Sequence, residues 1–333
     1  MSSFHITKDV VGTSRYGSKY RSSVISLNKR EVFYENLKIS SSSSSQQSDV
    51  NNLSSNSKYF SYVDSTGSGS ALGIIALSSV GKNHIPVMSV TYSQPLIRAH
   101  SASITDFCFH RFDQQKIYSC SLDQTIKLWQ VPDEGMVADI TTPVMTMQLI
   151  DKSPVKALSL HPCSKEILAG RGVRTIDVYD TTTGQSFFTI SSSSSVHSSD
   201  IQSMEWSCSG EILMTTCKDQ QLRLFDVRSN RTNPSAAASA HTGPRFSRVI
   251  SLGQSSTYLL TCGHTKATQE REVMIWDYRN MSAGALHRIR IDSGYGSLIP
   301  LFDYDHNLLM MIGKGKNVIS LLTLLSVWRK KDY

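Results

Sequence analysis

The sequence predicts an all-β fold: a β-propeller of WD-repeat rhythm with six recognisable blades of an expected seven, the ring standing open. Three observations predict it. An apolar segment of one shape returns at a near-fixed period, two more strands precede it in several copies, and the turns between them carry a matching polar set.

The returning segment begins at Ile126, Ile176, Leu222, Val273 and Ile319. Its fourth member is Trp129, Tyr179, Phe225, Trp276 or Leu322, at successive spacings of 50, 46, 51 and 46. A weaker copy begins at Leu72. Most copies alternate apolar and polar residues, the period of a half-buried strand. A short strand repeated every ~40–50 residues is the rhythm of propeller blades. An earlier strand in each repeat begins at Ile104, Val155 or Ile201, and a middle one at Lys116, Ile167 or Ile212. Polar turns such as 112–115 and 208–211 separate them. Three strands and a looser fourth make one blade.

The polar set is His100, Ser119, Asp123 and Trp129 in the second blade, and His197, Thr215, Asp219 and Phe225 in the fourth. In both, the His precedes the first strand by four residues and the Asp precedes the aromatic by six. Such a relay ties a loop to two strands and leaves no buried polar group unpaired. The alternative is a Ser–His–Asp catalytic triad. Two equivalent sets in one repeat favour the structural reading, since a catalytic site is normally unique. Phe225 cannot donate a hydrogen bond as Trp129 can, so the fourth relay is expected to be weaker.

Within 333 residues the net charge is +7, and its distribution decides what it means. Residues 1–40 carry +4, residues 314–333 carry +4, and the body is close to neutral. That is a poor match to a nucleic-acid-binding domain, which interleaves cations and aromatics on one surface. No apolar run reaches the ~18 residues of a membrane-spanning helix. No signal peptide is visible at the N-terminus. Six cysteines without a CxxC spacing argue against a zinc ribbon or a disulfide framework, and for a reduced, cytosolic setting. No paired carboxylates, metal cluster or unique nucleophile stand out, so no enzyme activity and no cofactor are expected.

A His before the first strand, an Asp in a hairpin turn and a Trp–Asp ending (Trp276–Asp277) resemble WD repeats. Particular segments resemble the coronin family: Ser18-Lys-Tyr-Arg21 and Tyr34-Glu-Asn-Leu-Lys38 near the N-terminus, Thr215-Thr-Cys-Lys-Asp219 in the fourth blade, Glu270-Arg-Glu-Val followed by Ile275-Trp-Asp277 in the fifth, and Leu298-Ile-Pro-Leu-Phe-Asp303 with Gly313-Lys-Gly315 in the sixth. The resemblance spans roughly residues 15–320, with wording similar to the long coronins that carry two propellers in tandem. It implies a propeller that binds actin filaments and, through its face, other proteins. It implies a cytoplasmic, cytoskeletal protein, with Golgi or vesicle periphery for the tandem branch. By the family pattern the actin-facing cations are Lys38, Arg21 and Lys19. Filament surfaces are acidic, and exposed Lys/Arg steer encounter and set salt dependence. The bland reading of the same cations is solvated edge positions that deter strand aggregation.

Four segments are expected: a coronin-type N-terminal segment (1–39), a Ser-rich disordered insertion (40–57), the blades (58–320) and a divergent tail (321–333). The insertion holds six consecutive serines and separates the N-terminal strand from the first blade. In the third blade Asp151 stands where His is expected, and Gly170-Arg-Gly172 reads as a tight turn. A seventh blade and a coiled coil have no counterpart, so an open ring completed by a partner or by self-association is expected. The tail reads either as an amphipathic helix for peripheral membrane contact, with Leu321, Leu324, Leu325 and Trp328 on one face, or as an extended strand. The leading function is a non-enzymatic actin-binding scaffold. The alternative is an adaptor in Golgi and vesicle trafficking or in ubiquitin-ligase recruitment.

Overall fold

A computed structural model describes residues 34, 37–40, 51–65, 69–79, 95–190, 196–228, 233–253, 257–294, 296–305 and 308–313, and the backbone of 319–323. The candidates Arg21 and Lys19, the serine runs at 41–45 and 191–195, and the tail beyond Thr323 lie outside the described residues. The described chain falls into two compact units, within Ser26–Ser191 and within Ser192–Tyr333.

The first unit holds three four-stranded antiparallel sheets, each a meander of sequential strands. They are β1 (Leu53–Ser55), β2 (Tyr59–Asp64), β3 (Ala71–Ala76) and β4 (Leu96–Ile97); β5 (Ile104–Phe109), β6 (Lys116–Ser121), β7 (Thr125–Gln130) and β8 (Met145–Gln148); and β9 (Ala157–Leu160), β10 (Ile167–Arg171), β11 (Ile176–Asp180) and β12 (Ser186–Ile190). The second unit holds β13 (Ile201–Trp206), β14 (Ile212–Cys217), β15 (Gln221–Asp226) and β16 (Ala236–Ser239); β17 (Arg248–Leu252), β18 (Tyr258–His264), β19 (Arg271–Asp277) and β20 (His287–Asp292); and a last sheet of β21 (Leu298–Asp303), β22 (Leu308–Gly313) and β23 (Ile319–Thr323). The six repeats of the sequence are these six sheets.

Alternation places the cores. Tyr59, Leu72, Phe107, Ile117 and Trp129 bury themselves between the first two sheets, and Tyr118, Ile126, Leu168 and Tyr179 between the second and third. Trp276, Met274, Leu224 and Leu259 fill the space between the fourth and fifth, and Val273, Leu260, Leu309 and Met311 that between the fifth and sixth. Polar side chains on β5 and β13 stitch each of these strands to the next sheet of its unit. Asp106 Oδ2 accepts the Leu158 N–H at 2.9 Å, and Thr105 Oγ1 donates to the Val155 carbonyl at 2.6 Å. Gln202 Oε1 likewise accepts the Ser247 N–H at 3.1 Å.

The β6–β7 and β14–β15 hairpins share one turn. Asp123 Oδ1 accepts the Thr125 N–H and Asp219 Oδ1 the Gln221 N–H, each at 3.0 Å. Gln124 and Gln220 follow at φ 72° and 69°, a left-handed conformation that glycine adopts without steric cost.

Three expectations need correction. The 40–57 tract is not wholly a disordered spacer: Leu53–Ser55 is strand β1, in register with β2. Its Asn and Ser content is turn chemistry, because Asn56 Oδ1 accepts the N–H groups of Lys58 and Tyr59 at 2.8 and 2.7 Å and folds the hairpin. The tract also does not part the N-terminal strand from the first blade. Ile39 bridges Asp64, the Ser40 N–H donates to Val63 O at 2.9 Å, and the Val63 N–H donates to Asn52 O at 3.3 Å. Segments 38–40 and 52–55 are thus two pieces of one strand position beside β2, with the serines inserted between them. Finally, Gly170 and Arg171 lie within β10, and the turn begins at Gly172, whose N–H donates to Thr175 O. At the other end, Leu321–Thr323 belongs to β23, as the strand reading of that segment expected.

Between β7 and β8 the chain reaches back over the first sheet. Asp139 accepts the Leu96 N–H and the Arg98 Nε–H, each at 2.9 Å. Ile140 and Ile97 form a parallel bridge, closing the edge of β4 with Arg98 N–H to Ile140 O at 2.9 Å and Ile140 N–H to Leu96 O at 3.0 Å. Met136 and Ile140 pack on the core below. An open strand edge is a pairing hazard, and this strap covers one.

Candidate functional site

The buried polar sets are where the sequence offered a catalytic alternative. In the second sheet His100 Nδ1 meets Asp123 Oδ2 at 2.9 Å, His100 Nε2 meets Ser119 Oγ at 2.8 Å, and Trp129 Nε1 donates to Ser119 Oγ at 2.9 Å. The carboxylate sets the tautomer: Nδ1–H faces Asp123, so Nε2 accepts the Ser119 proton. Burial holds the His100 pKa below its ordinary value despite Asp123. Burial alone would raise the Asp123 carboxyl, yet hydrogen bonds from Thr125 and the pairing with His100 hold it below the usual range.

This geometry does not serve acyl transfer. Ser119 is fully buried, and its oxygen both donates to the imidazole and accepts from the indole. A nucleophile needs a free approach for substrate, and Ser119 has none.

The fourth sheet differs. His197 Nε2 meets Thr215 Oγ1 at 3.1 Å, but His197 Nδ1 is buried with no hydrogen-bond partner. Asp219 instead takes both guanidinium arms of Arg223, at 3.0 and 2.7 Å, and a bond from Ser198 Oγ. Burial, then the positive charge of Arg223, brings the His197 pKa down to about 4. Burial opposes ionisation of Asp219, but the hydrogen bonds led by Arg223 hold its carboxyl down to about 2. Phe225 packs its ring 5.7 Å from that of His197 and supplies no donor. Proximity therefore joins His197 to Thr215 but not to Asp219.

A further complete relay escaped the sequence reading. In the fifth sheet His241 Nδ1 meets Glu272 Oε1 at 3.0 Å, His241 Nε2 meets Thr261 Oγ1 at 3.0 Å, and Trp276 Nε1 donates to Thr261 Oγ1 at 2.9 Å. Its acid is a Glu on the strand, four residues before the aromatic rather than six, and the β18–β19 loop is longer. Fixed offsets could not find it. The third sheet replaces the relay altogether: Asp151 Oδ2 accepts from Thr175 Oγ1 at 2.7 Å, while buried Asp177 accepts the Ile150 N–H at 2.7 Å and the Tyr179 hydroxyl at 3.3 Å.

Of the three cationic candidates, only Lys38 lies among the described residues. Its carbonyl accepts the Ser65 N–H at 2.7 Å, fixing the backbone beside β2, and its side chain is exposed. Among the described residues no three His, Cys, Asp or Glu side chains are grouped to hold a metal ion, and no helix is long and apolar enough to cross a membrane.

Comparison with known proteins agrees with this architecture. Residues 86–130 and 188–226 match the WD domain, G-beta repeat, and residues 15–82 match a domain of unknown function (DUF1899). The crystal structure of the WD40 domain from Toxoplasma gondii coronin superposes with a TM-score of 0.73 at 25% identity, covering 85% of this chain and 68% of that one. The protein is therefore of the WD40-repeat class, all-β and propeller-like in fold.

Among curated proteins the chain is 36% identical to Coronin-7 of Bos taurus over 248 residues, 30% to Coronin-A of Dictyostelium discoideum over 298, and 30% to the coronin-like protein of Saccharomyces cerevisiae over 310. These matches cover 74%, 90% and 90% of the chain. The chain is a coronin homologue. It spans 25% of the bovine protein, 62% of Coronin-A and 44% of the yeast protein.

Proposed function

We propose that this chain is a non-enzymatic scaffold of coronin type that binds actin filaments and acts in the organisation of the cytoskeleton. The observation that carries the reading is Lys38. Its backbone is held in the first sheet while its ammonium stands in solvent, within the segment that resembles the coronin N-terminal motif. A cation on an anchored strand meets an acidic filament with little ordering cost, which favours a fast, salt-sensitive encounter. The buried relays support a scaffold role, since their hydroxyls are spent on structure.

Arg21 and Lys19, in the segment that resembles the family's N-terminal motif, are further candidates for the filament contact in this proposal. Co-sedimentation with actin filaments, comparing wild type with Lys38→Glu, tests it. A second reading, an adaptor at Golgi or vesicle membranes or in ubiquitin-ligase recruitment, draws on the Coronin-7 matches at 33–36% identity against 30% for Coronin-A. Recruitment of vesicle-coat or ligase components without filament binding would favour it.

A further inference from the structure

We infer that Ser40 is a phosphorylation site that switches off the cationic contact made by Lys38; the inference rests on the actin-binding reading of that residue. Lys38 and Ser40 flank Ile39 in one extended segment. Ser65 N–H donates to Lys38 O at 2.7 Å and Ser40 N–H donates to Val63 O at 2.9 Å, on either side of the Ile39–Asp64 bridge. In a paired strand, residues two apart project to the same face. Lys38 and Ser40 therefore share a face, and Ile39 points the other way, 47% exposed.

Gly69 lies beside Ser40 and brings no side chain against it; a Cβ there would stand in van der Waals contact with Ser40 Oγ, 3.4 Å away. Ser40 is half-buried rather than enclosed. It also stands at the start of six consecutive serines, in a stretch without an apolar residue up to Asp49. The two ends of that insertion meet, with Asn52 Nδ2 donating to Ser40 O at 3.5 Å. Among the described residues, Ser40 is the member of that run, and its place against the sheet is fixed.

The transfer uses a protein kinase and a nucleoside triphosphate. Ser40 Oγ forms a bond to the γ-phosphorus, the bond from that phosphorus to the β–γ bridging oxygen breaks, the hydroxyl proton passes to the kinase's base, and nucleoside diphosphate leaves. The product carries about −1.5 to −2 charge at neutral pH. Two residues along a strand is about 7 Å, inside the ~8 Å Debye length of physiological salt. The local charge therefore changes from +1 to between about −0.5 and −1, and an acidic filament that was attracted is repelled.

The test is co-sedimentation with actin filaments of four proteins: wild type, Ser40→Ala, Ser40→Asp, and the chain carrying phosphoserine at 40 by semisynthesis, each checked for an unchanged melting temperature. Wild type and Ser40→Ala are expected to bind alike. Phosphoserine is expected to weaken binding about two- to five-fold at low salt, the scale of single surface charges, with Ser40→Asp in between and the difference vanishing at high salt. Equal binding by phosphorylated and wild-type chains overturns the inference while the actin reading stands. Equal loss in Ser40→Ala overturns it too, since the hydroxyl would then be structural. Failure of wild type to pellet overturns the actin reading and this inference with it.

Discussion

Arg223 clasps Asp219 with both guanidinium arms, at 3.0 and 2.7 Å, and so takes from His197 the carboxylate that its counterpart His100 keeps. The corresponding residue of the second sheet, Lys127, sends its ammonium to the Ala99 carbonyl at 2.9 Å and leaves Asp123 to the histidine. One side chain two residues before the aromatic thus decides whether a relay closes. Arginine wins because its planar fork matches a carboxylate, whereas lysine offers a single point of charge.

Replacing Arg223 by Lys should return Asp219 to His197. In the wild type the folded pKa of His197, about 4, lies below its unfolded value of 6.5. Between those values the unfolded chain binds the extra proton, so the stability due to neutral His197 is present above pH ~6.5 and lost as pH falls toward ~4. The loss amounts to roughly 3 kcal/mol at ~1.4 kcal/mol per unit. Arg223→Lys should raise the imidazole pKa, read by NMR titration, and flatten the acid slope of denaturant unfolding between pH 4 and 6.5. An unchanged titration would show that Asp219 does not govern His197.

Trp129→Phe should cost about 1–3 kcal/mol in chemical denaturation. The smaller phenyl ring leaves a small cavity, and Ser119 loses the indole donor inside a fully buried site. The same change at Trp276 should cost a similar amount, because Thr261 stands in the same relation to it. A cost near zero at both positions would mean that the relays do not hold the sheets.

Gln124→Gly should stabilise the chain by about 0.5–1 kcal/mol. Gln124 has a φ of 72°, a conformation that burdens a residue bearing a Cβ. Gln220→Gly should act in the same direction from φ 69°. The glycine also loosens the unfolded chain, so the gain is the difference of two terms. A shift of the denaturation midpoint to lower denaturant would contradict the assignment of strain to these turns.

Asp139→Ala should open the strap on the first sheet. Its carboxylate, held below the usual range first by the Leu96 N–H and then by Arg98, is a side-chain link between the strap and β4, beside the backbone bonds of Ile140. Hydrogen exchange at Leu96 and Arg98 should quicken by about ten-fold, with global stability lower by about 1 kcal/mol. Protection unchanged at both amides would leave the strap without that role.

Much of the blade pattern could be read from the chain because it rests on period-two alternation and on bulky residues such as Trp129 and Phe225, which sequence displays directly. The second relay was legible because its offsets are set by hairpins of fixed length. The fifth was not, because a longer loop and an acid moved from turn to strand shift His241 and Glu272 out of register. The failure of the fourth could be read only in half: Phe225 announces the missing donor, but nothing local says that Arg223 will outbid a histidine for Asp219. The split strand at 38–40 and 52–55 was illegible for a different reason. Asn and Ser serve turns and disordered spacers alike, and only pairing with β2 tells them apart.

If Lys38 presents its charge to an actin filament, as proposed, co-sedimentation across a salt series reads that contact. Wild type should pellet with filaments at low salt and release as salt rises, while Lys38→Glu should bind about five- to ten-fold more weakly at low salt and converge with wild type at high salt. Wild type that stays in the supernatant at low salt, or Lys38→Glu that binds as tightly as wild type throughout, would contradict the claim.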